Sequence, residues 1–478
     1  MGGIRQAIIY SSAARYTMKL MGLVSTMLIS RLLTPEEIGT FAIASAIVMV
    51  MSEFRMLGAG GYLIREKVLN PDKVRSVLGL TLIISWSVGV LILAAAWPAG
   101  RFYDLPDLAW IFVILSGSFF LAPYISIPSS LYSRSMDFRV QFKIRFVSTL
   151  LGFFSTIGLI LLGFSYFALA FGQSIMAVSQ FLMFLRERPE NMEMRPSFRG
   201  LKAVASFGVF NSLANLLRRA TLTVPDMVIG KMGTTAQVGM FSRGLGFVTF
   251  VSQTLTMGVV AVALPYLSNT RRSGGDLAAA YTRASVMMGG LVVPVLGVAS
   301  LMSLPAIRLF FGPQWDAAAP LAAWLAVWGM IRVVHNFAND VLMASERERV
   351  MLLKEVIAFA FLLTGIILAY PHGLESIARV FVLAGAFEWL LVTWLLWRVI
   401  GLSPVRFVCA WWGTALVTAL CMLVTWALER LFPFDSPDYW KPIVVVALTM
   451  PWVWLVGLKL VGHPLFTEIV SLLRRRGL

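Results

Sequence analysis

The sequence predicts an all-α integral membrane protein of about fourteen transmembrane helices, two six-helix lobes in parallel repeat plus a C-terminal helix pair. Composition, one-sided charge around apolar windows and an internal repeat carry that expectation. The chain of 478 residues is 58% hydrophobic and 13% charged, with a mean hydropathy of +0.81. Soluble domains carry about 25% charged residues, which cover an exterior facing water. A helix needs about 20 apolar residues to cross a hydrocarbon core roughly 30 Å thick. Residues 146–185 are forty consecutive positions without a charge. That is enough for two spans, with Gly163-Phe164-Ser165 as the turn between them.

Apolar windows bounded by charges or by Pro and Gly place the first six spans at 7–30, 37–57, 77–97, 109–128, 146–162 and 165–185. The next six fall at 204–226, 236–262, 283–304, 319–340, 352–370 and 376–398, and a last pair at 407–428 and 441–462. Most of the 40 Lys and Arg residues lie at the N-terminus, in the loops after even-numbered spans and at the C-terminus. The opposite loops hold Arg31, Arg101, Lys231, Arg308, Arg430 and Lys441. Basic residues stay on the cytoplasmic side, so both termini are expected there. The formal net charge of +16 is mostly this bias. Spread over short loops, it suits anionic lipid headgroups better than nucleic acid. Arg5 precedes an apolar run that no small-residue cleavage site follows, so the first span is expected to be retained. Cys409 and Cys421, about 18 Å apart along one expected helix, are too distant for a disulfide.

Residues 12–58 and 212–258 align without a gap at an offset of 200 positions. Ser12/Ser212, Ala14/Ala214, Thr34/Thr234, Gly39/Gly239 and Phe41/Phe241 are among the identities. Shared apolarity explains matched Val and Ile residues, but not Thr-x4-Gly-x-Phe at the turn after each first helix. Six spans separate the copies, so both run the same way through the membrane. Parallel repeats of this kind place a substrate between two halves. The expected organisation is an N-lobe at 1–200, a C-lobe at 201–400, and an extra helix pair with a basic tail at 401–478.

The segments Arg31-Leu32-Leu33-Thr34-Pro35-Glu36-Glu37-Ile38-Gly39-Thr40-Phe41, Glu53-Phe54-Arg55-Met56-Leu57-Gly58 and Tyr62-Leu63-Ile64-Arg65 resemble the first hairpin of bacterial polysaccharide exporters. Those Wzx-like proteins belong to the oligosaccharidyl-lipid flippase superfamily, together with MATE-type exporters and lipid II flippases. The resemblance implies a bacterial inner-membrane protein that moves an undecaprenyl-diphosphate-linked oligosaccharide by alternating access. Its implied partners are that glycan lipid, membrane lipids, and polysaccharide polymerase and assembly proteins. By the same resemblance, the last helix pair lines a lateral groove for the polyprenyl tail, with packing or an oligomer contact as the alternative.

Charges at membrane depth are costly and usually face a cavity or a partner. Span one carries Arg15 and Lys19, one turn apart. Its repeat partner carries Arg218 and Arg219, the latter aligned with Lys19. The second helix carries Glu53 and Arg55, and its partner Arg243. Arg15, Lys19, Arg55, Arg218, Arg219 and Arg243 are therefore the candidate substrate-binding residues, suited to a diphosphate. Snorkelling to the interface or pairing with acids is the alternative. The acids expected within spans are Glu53, Asp226, Asp340 and Glu388. Glu388, at mid-span, could carry a coupling proton or bind sodium, but pairing with an Arg such as Arg379 or Arg332 is the preferred reading. His335 has no metal-ligand companion at helical spacing.

No cofactor, metal site or catalytic residue is expected. The sequence has no Gly-rich phosphate loop, Cys/His metal spacing or nucleophile elbow. Gly244-Leu245-Gly246 reads as helix packing. A glycan polymerase, the enzymatic alternative, needs a larger external segment than these short loops provide. A MATE-like drug exporter would need an acidic cavity, whereas cations outnumber acids here.

Overall fold

Helix ends in the structure follow the punctuation of the sequence. The structure is a computed structural model that describes residues 2–54, 59–66, 69–189, 192–201, 209–436 and 438–475. The first seven helices are α1 (Gly2–Leu32), α2 (Pro35–Phe54), α3 (Ala59–Arg65), α4 (Pro71–Phe102), α5 (Asp107–Arg134), α6 (Phe138–Leu161) and α7 (Phe167–Arg186). Then come α8 (Val209–Met232), α9 (Thr235–Arg272), α10 (Leu277–Leu301), α11 (Ser303–Phe311), α12 (Ala319–Val334) and α13 (Ala338–Ala344). The chain continues through α14 (Glu348–Ala369), α15 (Leu374–Ile400), α16 (Pro404–Ala410), α17 (Trp412–Leu431), α18 (Trp440–Leu460) and α19 (Pro464–Arg475). Asn70 and Asp276 cap α4 and α10, accepting from the backbone N–H groups of Lys73 at 3.1 Å and Ala279 at 2.9 Å. The turn between α6 and α7 is the one expected, with Gly163 at φ +88° and Ser165 at φ +49°.

Among the described residues, eleven helices or helix runs are long and apolar enough to cross a membrane. They coincide with the expected spans two to six and nine to fourteen. The charge-bearing α1, α8 and α9 lie at the other three expected positions. By internal contacts the chain forms two compact units, Met1–Gly239 and Met240–Leu478.

In the first unit, α4 packs on α5, α6 on α7, and α2 on α8. The repeat is visible in the turns that start α2 and α9. Thr34 and Glu37 form a reciprocal capping box: Thr34 N–H donates to Glu37 Oε2 at 2.8 Å, and Glu37 N–H to Thr34 Oγ1 at 3.3 Å. Thr234 and Gln237 repeat it at 3.1 and 3.3 Å. The two turns also touch reciprocally. A Cβ on Gly39 would stand 1.7 Å from Thr235 O, and one on Gly239 would stand 2.2 Å from Pro35 O. Position 235 is the repeat equivalent of 35, so the contact is two-fold symmetric. Only glycine allows backbones this close. Thr-x4-Gly-x-Phe is therefore the sequence trace of a self-complementary contact.

Several basic residues expected in loops lie within helices and are held by the protein itself. Arg134 Nη1 donates to Leu63 O at 2.8 Å, Lys73 pairs with Glu66 at 2.9 Å, and Lys143 with Glu187 at 2.8 Å. The hydrogen bond and charge of Lys143 hold the Glu187 carboxyl below its ordinary range. At the opposite helix ends, Lys231 donates to Phe102 O and pairs with Asp104 at 3.4 Å.

In the second unit, α10 packs on α12 and α17, α12 on α15, and α14 on α15. The extra pair seats on α10 through small residues. A Cβ on Gly289 would meet the Trp411 ring at 2.3 Å, and one on Gly297 would meet Met422 at 3.0 Å. Trp454 Nε1 donates to Gly290 O at 2.7 Å. Gly244 faces Ala318 O and Ala322 N, each 3.3 Å from its ideal Cβ, which is the expected packing, whereas a Cβ on Gly246 would meet nothing within 4 Å. The run Pro313–Ala344, which covers the span expected at 319–340, turns at His335–Phe337, between α12 and α13. Two local expectations are corrected. The helix expected to hold both cysteines breaks at Trp411, leaving Cys409 exposed on α16 and Cys421 buried on α17. Arg430 lies in the last turn of α17 and Lys441 in the first turn of α18, not in the connecting loop.

Candidate functional site

The charged residues singled out from the sequence fall into different surroundings. Arg55 lies outside the described residues, as does the side chain of Arg15. Lys19 is half-buried on α1. Arg218 is exposed on α8, with its Nη2 donating to Asn215 Oδ1 one turn earlier at 2.6 Å. Arg219, the repeat equivalent of Lys19, donates from Nε to Glu53 Oε1 at 3.1 Å. That bond joins the end of α2 to the middle of α8. Arg243, in the second unit, packs against aromatic faces, its guanidinium carbon 5.7 Å from the centre of the Phe311 ring and 5.5 Å from that of Trp315. Also in the first unit, a groove of about 540 Å³ runs between α1, α6 and α7, with Thr17, Ser25, Thr26, Thr149 and Gln173 among its lining. The Arg219–Glu53 pair is not part of that lining.

The second unit contains a buried polar cluster that sequence reading missed. Lys354 Nζ lies 2.7 Å from Glu355 Oε1 and 3.1 Å from Glu388 Oε1. Asn339 Nδ2 donates to Glu355 Oε1 at 2.9 Å. The cluster ties α13, α14 and α15 together. The pairing expected for Glu388 is thus present with a different partner, Lys354. Arg379 instead pairs with Glu375 at 2.6 Å, and Arg332 lies over the Trp328 ring at 5.0 Å. Glu355 was absent from the acids expected within spans, although it lies inside the expected window 352–370.

His335 is held between two hydroxyls. Thr393 Oγ1 donates to Trp389 O at 2.7 Å and lies 2.9 Å from His335 Nε2. With its proton committed to Trp389, Thr393 accepts from Nε2–H. The His335 Nδ1 then accepts from the Tyr281 hydroxyl at 2.7 Å. This assigns one neutral tautomer and engages both ring nitrogens. Among the described residues, no group of three His, Cys, Asp or Glu side chains is placed to hold a metal ion.

Eleven long apolar helices or helix runs among the described residues, and an internal repeat seen in two matching capped turns, define a multi-pass membrane protein. The solved structure of the lipid II flippase MurJ, in an inward closed conformation, matches with a TM-score of 0.76 at 14% identity, covering 95% of this chain and 98% of that one. The chain belongs to the family of polysaccharide biosynthesis proteins, whose profile matches residues 28–320. It is similar to the teichuronic acid biosynthesis protein TuaB of Bacillus subtilis strain 168, at 24% identity over 73% of this chain and 72% of TuaB. It is also similar to the succinoglycan biosynthesis transport protein ExoT of Rhizobium meliloti strain 1021, at 24% identity over 64% of this chain and 62% of ExoT.

Proposed function

We propose that the protein flips an undecaprenyl-diphosphate-linked oligosaccharide across the bacterial inner membrane by alternating access, for polysaccharide biosynthesis. The observation that carries this reading, beside the family membership, is the cation at equivalent places in the first helix of each repeat copy, Lys19 on α1 and Arg219 on α8. Cations retained at membrane depth suit a diphosphate headgroup. The groove beside α1 is mostly apolar but carries Thr17, Ser25, Thr26, Thr149, Thr156 and Gln173, groups that can hydrogen-bond sugar. A second groove of about 380 Å³, lined by Pro294, Val298, Val446, Met450 and Trp454 among others, lies between α10, α17 and α18. Its lining is almost wholly apolar, which suits a polyprenyl tail.

In this reading α1, α8 and α9 complete fourteen spans, grouped as lobes 1–200 and 201–400 with the extra pair at 401–478. Both termini are cytoplasmic. Reporter fusions at Asp104 and Asp435 are expected to report periplasm, and fusions at Asp137 and Glu348 cytoplasm. A cytoplasmic signal at Asp435 would overturn the last hairpin. The protein moves its cargo without covalent chemistry, and polysaccharide polymerase and assembly proteins act beside it.

The functional test is genetic and biochemical. Deletion should abolish polysaccharide export and the intact gene should restore it. The purified protein should bind undecaprenyl diphosphate sugars with an affinity that falls as salt rises, because ions screen phosphate contacts. Binding of organic cations with no binding of such lipids would favour a MATE-type drug exporter instead.

A further inference from the structure

We infer that Glu53 is a positioning residue that sets the Arg219 guanidinium for a phosphate, holding it by Nε and leaving its terminal nitrogens free. The inference rests on the flippase reading and names how one cation of that site is prepared. A guanidinium carries five N–H donors, one on Nε and four on the two terminal nitrogens. The Glu53 carboxylate takes the Nε–H at 3.1 Å. Among the described residues, Nη1 and Nη2 of Arg219 have no protein partner, and its side chain is 40% exposed. Those terminal nitrogens are the parallel fork that binds phosphate oxygens in pairs. Glu53 is the less exposed member, 20%, and sits at the penultimate residue of α2, the helix on which α8 packs. The carboxylate is therefore the anchored end and the guanidinium the presented end. Arg218 shows the contrast, since one of its terminal nitrogens is occupied by Asn215.

A positioning role differs in sign from simple charge balance. If Glu53 only neutralised Arg219, removing its charge would raise affinity for anions. If it fixes the guanidinium, an uncharged side chain that still accepts the Nε–H should suffice. A shortened side chain should fail, because a free arginine loses rotamer freedom on binding.

The test measures binding of geranylgeranyl diphosphate and inorganic pyrophosphate, with geranylgeraniol as the uncharged control, to the full chain in nanodiscs. Arg219→Ala should weaken binding of the isoprenyl diphosphate by about tenfold or more, the scale of a hydrogen bond to a charged group. Glu53→Gln should stay close to the wild type. Glu53→Ala should weaken binding by several-fold at an unchanged melting temperature, and should add nothing in the Arg219→Ala background. Parallel losses for pyrophosphate would mark the phosphate itself as the recognised group. Losses confined to the isoprenyl compound would mark a membrane-borne headgroup. Tighter binding by Glu53→Ala and Glu53→Gln would overturn the inference in favour of charge balance. Wild-type affinity in Arg219→Ala would overturn it by removing the ligand. A wild-type protein that binds neither diphosphate would overturn the flippase reading itself.

Discussion

Lys354→Met is expected to destabilise the full chain by about 3–5 kcal/mol, the range for removing one partner of a buried ion pair. The melting temperature in detergent should fall sharply, and much of the protein should aggregate. Lys354 is almost fully buried, as is Glu355, and its ammonium bridges Glu355 at 2.7 Å and Glu388 at 3.1 Å. Methionine fills the same volume but leaves two carboxylates facing each other without a cation. Asn339 cannot compensate, because it offers one amide N–H to Glu355 and no charge. A neutral set, Lys354→Met with Glu355→Gln and Glu388→Gln, should recover much of the loss, since no charge is then stranded. If Lys354→Met alone melted like the wild type, the ammonium would not be what reconciles these acids.

Much of the fold was legible because the signals were local. Apolar windows, a turn at Gly163-Phe164-Ser165 and a gapless repeat each depend on neighbours in sequence. Thr-x4-Gly-x-Phe marked the repeat, whereas the contact its glycines make, Gly39 and Gly239 meeting the opposite turn through backbone, required the fold. The buried cluster was not legible for the complementary reason. Lys354 and Glu388 are 34 positions apart, and no periodicity links α14 to α15. Adjacent residues also point to different helix faces, so Lys354-Glu355 does not read as a pair at helical spacing. Its one available signal was a charged dipeptide inside an expected span. The turn at His335–Phe337 was hidden because neither Pro nor Gly marks it. Of the candidate site, the Arg219–Lys19 equivalence follows from the repeat. The Glu53–Arg219 bond, 166 positions long, required the fold.

The largest functional effect is expected at Lys19 and Arg219. Each lies on the first helix of a repeat copy, and an offset of 200 positions makes them equivalent in the repeat. If α1 spans the membrane from residue 7, as the sequence predicts, Lys19 stands about 18 Å along it, roughly half the depth of a bilayer core. A cation at that depth is retained for a partner, and a diphosphate offers several oxygens to two cations at once. With Arg219 40% exposed and its bond to Glu53 open to solvent, the pair contributes little to folding. Arg219→Ala should therefore express and fold yet fail to restore polysaccharide export in a deletion strain. Lys19→Ala should behave alike. Lys19→Arg, which keeps the charge while changing its shape, should retain part of the export. The readout is exported polysaccharide normalised to protein in the membrane fraction. Full export from both alanine variants at wild-type protein levels would remove the two residues from the site. Full export from one alone would leave the other as the phosphate ligand and break the proposed symmetry of the site.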